Sequence, residues 1–182
     1  MVITETAEIG VDVERMWREV GEFGTLNHWH PLVTALDVRR QADGDVRTAN
    51  PRTPREQVER LRWEDASRHS YEYTLEHTHM PVRDFTGAFR LEELAPKSTR
   101  VIWSVRFELS EDGDETTVED VAQFLHAGMG GIKEKYRAWI LGEPRGVQRD
   151  IARADKRNRT GSESEPVRDT PPAGAWNDVS SD

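Results

Sequence analysis

Residues 117–139 read TVEDVAQFLHAGMGGIKEKYRAW, and the fold is decided there. Apolar residues recur at Val118, Val121, Ala122, Leu125, Met129, Ile132, Tyr136 and Trp139. Steps of three and four gather them into one stripe of an α-helix, and charged residues such as Glu119, Asp120, Lys133, Glu134 and Arg137 take much of the remaining surface. Thr117 is the expected N-cap, with the Thr116/Glu119 pair as a capping box in an alternative register. Gly128, Gly130 and Gly131 lie inside the helix, where each costs roughly 1 kcal/mol relative to Ala. That cost implies a close approach, by a backbone, a packed side chain or a ligand, or else a kink. A helix with so broad a stripe needs an apolar surface to lie on, and the preceding hundred residues read as a sheet.

Segments 2–9, 32–40, 46–50, 55–64, 68–77, 84–94 and 99–109 carry strand signals, separated by turn residues such as Ala42-Asp43-Gly44-Asp45 and Ala95-Pro96-Lys97-Ser98. Two short helical stretches, 13–20 and 25–29, follow the first strand, and Pro31 ends the second. The predicted fold class is α+β: a curved antiparallel sheet of about seven strands around a long C-terminal helix, over residues 1–141. Residues 142–182 are rich in charge, Ser, Pro and Gly with a lone Trp176, which predicts a flexible C-terminal tail.

The chain has 182 residues and a net charge of −9, which argues against nucleic acid and anionic membrane surfaces as partners. No cysteine is present, which excludes disulfides and thiolate chemistry. No apolar run approaches the roughly 20 residues of a membrane span, and no signal peptide is visible, so a cytoplasmic location is expected, without membrane insertion. Monomer and homodimer are both compatible with the sequence.

Several motifs fit one known family as a set. They are Met16-Trp17 followed by Gly21-Glu22-Phe23-Gly24, Trp29-His30-Pro31, Val58-Glu59-Arg60-Leu61, Met80-Pro81-Val82, Val101-Ile102-Trp103 and Ala127-Gly128-Met129. With them the chain resembles the SRPBCC superfamily, which includes START domains and the birch-pollen allergen group, and within it the polyketide cyclase/dehydrase-like branch. The resemblance covers roughly residues 1–141. It implies a helix-grip fold with a hydrophobic cavity between sheet and helix. It does not fix the chemistry, because such folds host enzymes, transporters and binding proteins.

Strand parity then nominates the interior. Tyr71 and Tyr73, Phe85 and Phe89, and Trp103 and Phe107 share the faces that must meet Leu125 and Met129 of the helix. Trp29 and His30 join them from the W-x-P element, and His126 sits on the edge of the helix stripe. These aromatic walls suit a bulky hydrophobic or aromatic ligand, although the same pattern also describes a solid core. On the strand 55–64, Leu61 and Trp63 are expected inside, and Glu59 shares their parity. If the hairpin closes around Thr53, Arg47 stands opposite Glu59 and the two form an ion pair. Glu59, His77, Tyr73 and Arg47 are the catalytic candidates: Glu59 and His77 to move protons, Tyr73 and Arg47 to polarise carbonyl oxygens. That set suffices for enolisation, aldol closure or dehydration without a cofactor. The His28/His30 and His77/His79 pairs lack further ligands at a defining spacing, so no metal is expected. The expected function is binding of a hydrophobic or aromatic small molecule by a polyketide cyclase/dehydratase-like acid/base enzyme. The alternative is a non-catalytic carrier or sensor of a lipid-like or aromatic ligand.

Overall fold

The computed structural model describes residues 1–140. The expectations for residues 142–182, Trp176 included, lie outside them. Seven strands form a single antiparallel sheet: β1 (Val2–Ile9), β2 (Leu36–Arg39), β3 (Val46–Ala49), β4 (Gln57–Asp65), β5 (Ser70–His77), β6 (Val82–Ala95) and β7 (Ser98–Leu109). Their order in space is β1-β7-β6-β5-β4-β3-β2. The chain therefore leaves β1 at one edge, crosses through the short helices to β2 at the other, and returns as a meander that closes on β1. The crossover holds α1 (Val13–Met16), a wider turn Trp17–Gly21 and a tight turn Phe23–His28. The last element is α2 (Glu115–Ile140). This is the helix-grip architecture that the element order and the family resemblance imply.

The start of α2 departs from the expectation. Asp114, not Thr117, caps it: the Thr117 amide donates to the Asp114 carboxylate (3.1 Å), and the Asp114 amide donates back to the Thr117 hydroxyl (3.2 Å). Both groups thus satisfy amides that the first turn leaves open. β2 begins at Leu36 rather than at residue 32. The Asn50 side chain accepts from the Thr34 amide and donates to the Leu32 carbonyl (both 2.9 Å), which holds that segment as a loop.

Val121, Leu125, Met129, Ile132 and Tyr136 of α2 are buried, together with Val101, Trp103, Val105 and Phe107 of β7. The glycines of α2 are explained by the Trp29-His30-Pro31 segment crossing it. A Cβ on Gly131 would collide with the Trp29 carbonyl, and one on Gly128 would stand 2.6 Å from the Trp103 ring and 2.8 Å from His30. The close approach is thus made by the protein itself. Gly130 faces open space, and nothing in the structure explains it.

Two bulges redirect side chains. Between Leu61↔Tyr73 and Trp63↔Glu72, β4 carries one extra residue, so Trp63 turns to the outer face and is 47% exposed, against the inward placement expected. Between Glu59↔Leu75 and Val58↔His77 the extra residue is in β5. His77 then opposes Val58 rather than continuing the face of Tyr71 and Tyr73, and it is exposed. The inward orientation expected of His77 is corrected by that one-residue slip.

Candidate active site and its mouth

The register of β3 with β4 places Arg47 directly opposite Glu59, and both are buried. Arg47 Nε donates to the Glu59 carboxylate, and Nη1 donates to the Phe23 carbonyl (2.7 Å) and to the Tyr71 hydroxyl (3.5 Å). The guanidinium lies 4.2 Å from the Phe23 ring centroid and 5.0 Å from that of Tyr73, a cation–π cradle. Burial alone would disfavour its charge, but Glu59 and then the two tyrosines override that, and the Arg47 pKa is raised. The Arg47 Nη2 group is buried and has no acceptor among the described residues. The second carboxylate oxygen of Glu59 accepts no hydrogen bond among the described residues.

Tyr73 accepts a hydrogen bond from Trp103 Nε1 (3.0 Å), and its own O–H has no acceptor among the described residues. Burial raises the pKa of both Tyr71 and Tyr73, so both phenols stay protonated donors. Trp29 packs on Trp103 (5.6 Å between centroids) and on Phe89 (5.8 Å), and its buried Nε1–H is a further donor without an acceptor among the described residues. Tyr71 stacks on Phe89 (5.5 Å), and Phe85 stacks on Phe107 (6.0 Å). The rings expected to wall a cavity therefore fill much of the space between sheet and helix by touching one another.

His30 is buried and neutral. Its Nε2 donates to the Phe124 carbonyl (3.0 Å) and its Nδ1 accepts from the Leu32 amide (3.2 Å). Burial pulls its pKa down to about 4. Its ring stacks on Phe124 at 4.1 Å and meets Trp103 edge-on. His126 does not join it. One residue beyond Leu125, it turns about 100° away from the stripe, its side chain 72% exposed and 3.7 Å from Glu5. The expectation that His126 lines the interior is corrected. His28 is exposed while His30 is buried, so that pair does not converge, and no cluster of three metal-ligating side chains occurs among the described residues.

A groove of about 350 Å³ opens where α2 meets the 50–57 loop and the β5–β6 turn. Leu32, Met80 and Phe124 give it an apolar floor, and Asn50, Arg55, Gln57, His79, Asp120 and Gln123 give it polar walls. Phe124 stands between this groove and His30, and Gln57 is two residues before Glu59 on the same face of β4. The groove thus lies beside the interior, separated from His30 by Phe124, and we call it the mouth groove; sequence reasoning missed Gln57, Arg55 and His79 as its residues. Gln57 carried a readable signal in its parity with Glu59. A larger groove, about 800 Å³, lies on the sheet's outer face beside Trp63 and shares no residue with the mouth.

The fold has known counterparts. Residues 1–137 match the family described as polyketide cyclase / dehydrase and lipid transport. The chain belongs to this family. No curated protein matches the chain. Among solved structures, the protein XoxI from Bacillus cereus is 20% identical over 74% of this chain and 94% of its own, with a TM-score of 0.67. The Zhui aromatase/cyclase from a Streptomyces species is 13% identical over 77% and 95%, with a TM-score of 0.63. A START superfamily protein from Mycobacterium smegmatis is 13% identical over 76% and 98%, with a TM-score of 0.61. At these identities the likeness is one of fold. It is a ligand-binding fold, and no helix among the described residues is long and apolar enough to cross a membrane.

Proposed function

We propose that the protein takes a bulky hydrophobic or aromatic small molecule bearing carbonyl oxygens through the mouth groove and acts on it as a cofactor-free acid/base enzyme of the cyclase/dehydratase kind. One observation carries this reading: the interior has donors to spare. Arg47 Nη2 and Trp29 Nε1 have no acceptor among the described residues, and two phenols are held protonated. A carbonyl or enolate oxygen supplies the acceptor they lack. In the proposed step the free oxygen of Glu59 removes a proton from the carbon next to the carbonyl. The C–H electron pair moves into the enolate, whose oxygen is held by Arg47 and Tyr73. The aromatic walls hold the ligand folded for ring closure or loss of water. His77 has no part in it, being outside the interior.

The test is α-proton exchange of an aryl ketone, tetralone, in D2O, followed by proton NMR. Exchange above the buffer rate is expected, falling at least tenfold in folded Glu59→Gln and by a smaller factor in Tyr73→Phe. Exchange unchanged in both variants would remove the acid/base assignment. The second reading, a non-catalytic carrier, is favoured by one feature: the expected union of His77 with Glu59 and Tyr73 is not formed. Saturable quenching of tryptophan emission by a hydroxyanthraquinone without any ketone exchange would select it.

A further inference from the structure

The mouth groove holds polar groups that the interior chemistry leaves unused. Gln57 is only 4% exposed, yet its carboxamide makes no hydrogen bond among the described residues, and it lines the groove. Its polar atoms are not among the buried unpartnered ones, so the carboxamide opens onto the groove with its bonding capacity unused. Arg55, on the same wall, is exposed and pairs with no carboxylate among the described residues. Facing them are His79 and Met80 from the β5–β6 turn, and Asp120 and Phe124 from α2.

Arg55 and Asp120 are the charged side chains lining the groove among the described residues, and Arg55 acts the more strongly at His79. Burial lowers the His79 pKa, and Arg55 lowers it further, outweighing the opposite pull of Asp120. The potential at this point of the groove is therefore set by Arg55, with His79 a neutral imidazole. Asp120 is the only carboxylate among the described residues that line the groove.

We propose that the mouth groove binds the carboxylate end of a small aromatic acid, with the carboxylate on the Arg55 guanidinium and the Gln57 amide, and the ring on Phe124 and Met80. Guanidinium and carboxylate match as a two-pronged, charge-assisted pair. A groove of about 350 Å³ takes a one- or two-ring acid. The proposal deepens the preceding reading by naming the charge on the end of the ligand left at the mouth, but it stands on the groove's own residues.

The test compares 2-naphthoate with its neutral counterpart 2-naphthamide on the full chain by titration calorimetry. The acid is expected to bind about tenfold more tightly. Arg55→Gln is expected to bring it down to the level of the amide. Asp120→Asn is expected to tighten it several-fold, because the groove's one repelling charge is gone. Equal affinity for acid and amide, no measurable naphthoate binding, or a preference that survives Arg55→Gln each overturn the proposal. So does weaker naphthoate binding in Asp120→Asn, which would make Asp120 a partner of a cationic or zwitterionic ligand. Loss of tetralone exchange with the naphthoate preference intact would dispose of the acid/base reading and leave this one standing.

Discussion

Gly130 and Gly131 are neighbours in the same helix, and their replacement by Ala is expected to move stability in opposite directions. The intrinsic gain is the same at both positions, about 1 kcal/mol for Gly to Ala in a helix interior. At Gly130 nothing lies within 4 Å of the added methyl, so the gain is kept. At Gly131 the methyl falls onto the Trp29 carbonyl, with Pro31 Cδ at 3.0 Å on another side. These are backbone and ring atoms that cannot rotate aside. Overpacking of this kind costs about 1–3 kcal/mol, and a collision with backbone belongs at the upper end. The net loss is then up to about 2 kcal/mol, which separates the two variants by about 3 kcal/mol. At 2–4 °C per kcal/mol for a domain of this size, the melting temperatures should differ by roughly 6–12 °C. Circular dichroism at 222 nm reads this directly. If Gly131→Ala melts as high as Gly130→Ala, the Trp29 segment does not cross the helix where it is placed. The position of Trp29 and His30 at the site would then fall with it.

Glu59→Gln leaves the buried Arg47 charge uncompensated and should cost about 3–5 kcal/mol in urea denaturation, whereas replacing both partners together, Arg47→Met with Glu59→Leu, should recover most of it. A single-variant loss under about 1 kcal/mol would mean the pair is hydrated rather than buried. The His30 pKa of about 4 lies below its ordinary value of 6.5, so the folded protein binds fewer protons than the unfolded chain between those limits. Its contribution is full above pH 6.5 and is lost as pH falls toward 4, about 3 kcal/mol in all; His30→Gln should flatten this part of the stability–pH curve, and an unchanged curve would refute the buried neutral imidazole. Asp114→Ala should lower stability by about 1 kcal/mol through loss of the helix cap, and a loss within error in thermal melts would return the capping role to Thr117.

The pairing of Arg47 with Glu59 was legible in the sequence because it rests on the Thr53 loop alone, and the register between β3 and β4 runs unbroken from Val46↔Arg60 to Ala49↔Gln57. His77 and Trp63 were not legible for a single reason. Parity counts residues along a strand, and a bulge adds one residue without changing composition, so every side chain beyond it changes face. His126 was misplaced by angle: an edge position of the stripe turns outward once Leu125 and Met129 are fixed inside. The glycines of α2 announced a close approach, but whether a ligand or the chain makes it depends on the path of residues 29–31.

The family description joins two activities with different ligands, and the polar balance of the interior separates them. Glu59 is the only buried carboxylate among the described residues, and its bonded oxygen is taken by Arg47. The other Glu59 oxygen is the base of the proposed step, while Arg47 Nη2 and Trp29 Nε1 remain open donors among the described residues. A purely hydrocarbon ligand would leave both donors unsatisfied, at about 1–3 kcal/mol each. A ligand with carbonyl oxygens removes that cost and is preferred by a matching amount, before any contact of its rings is counted. Such a discrimination, about 2–6 kcal/mol in all, exceeds what one or two extra methylenes of an acyl chain return on burial. On the proposed reading the interior is therefore expected to select oxygenated over purely aliphatic molecules. A lipid tail displacing a ketone of equal size from it at equal concentration would contradict the assignment of Arg47 and Trp29 as free donors.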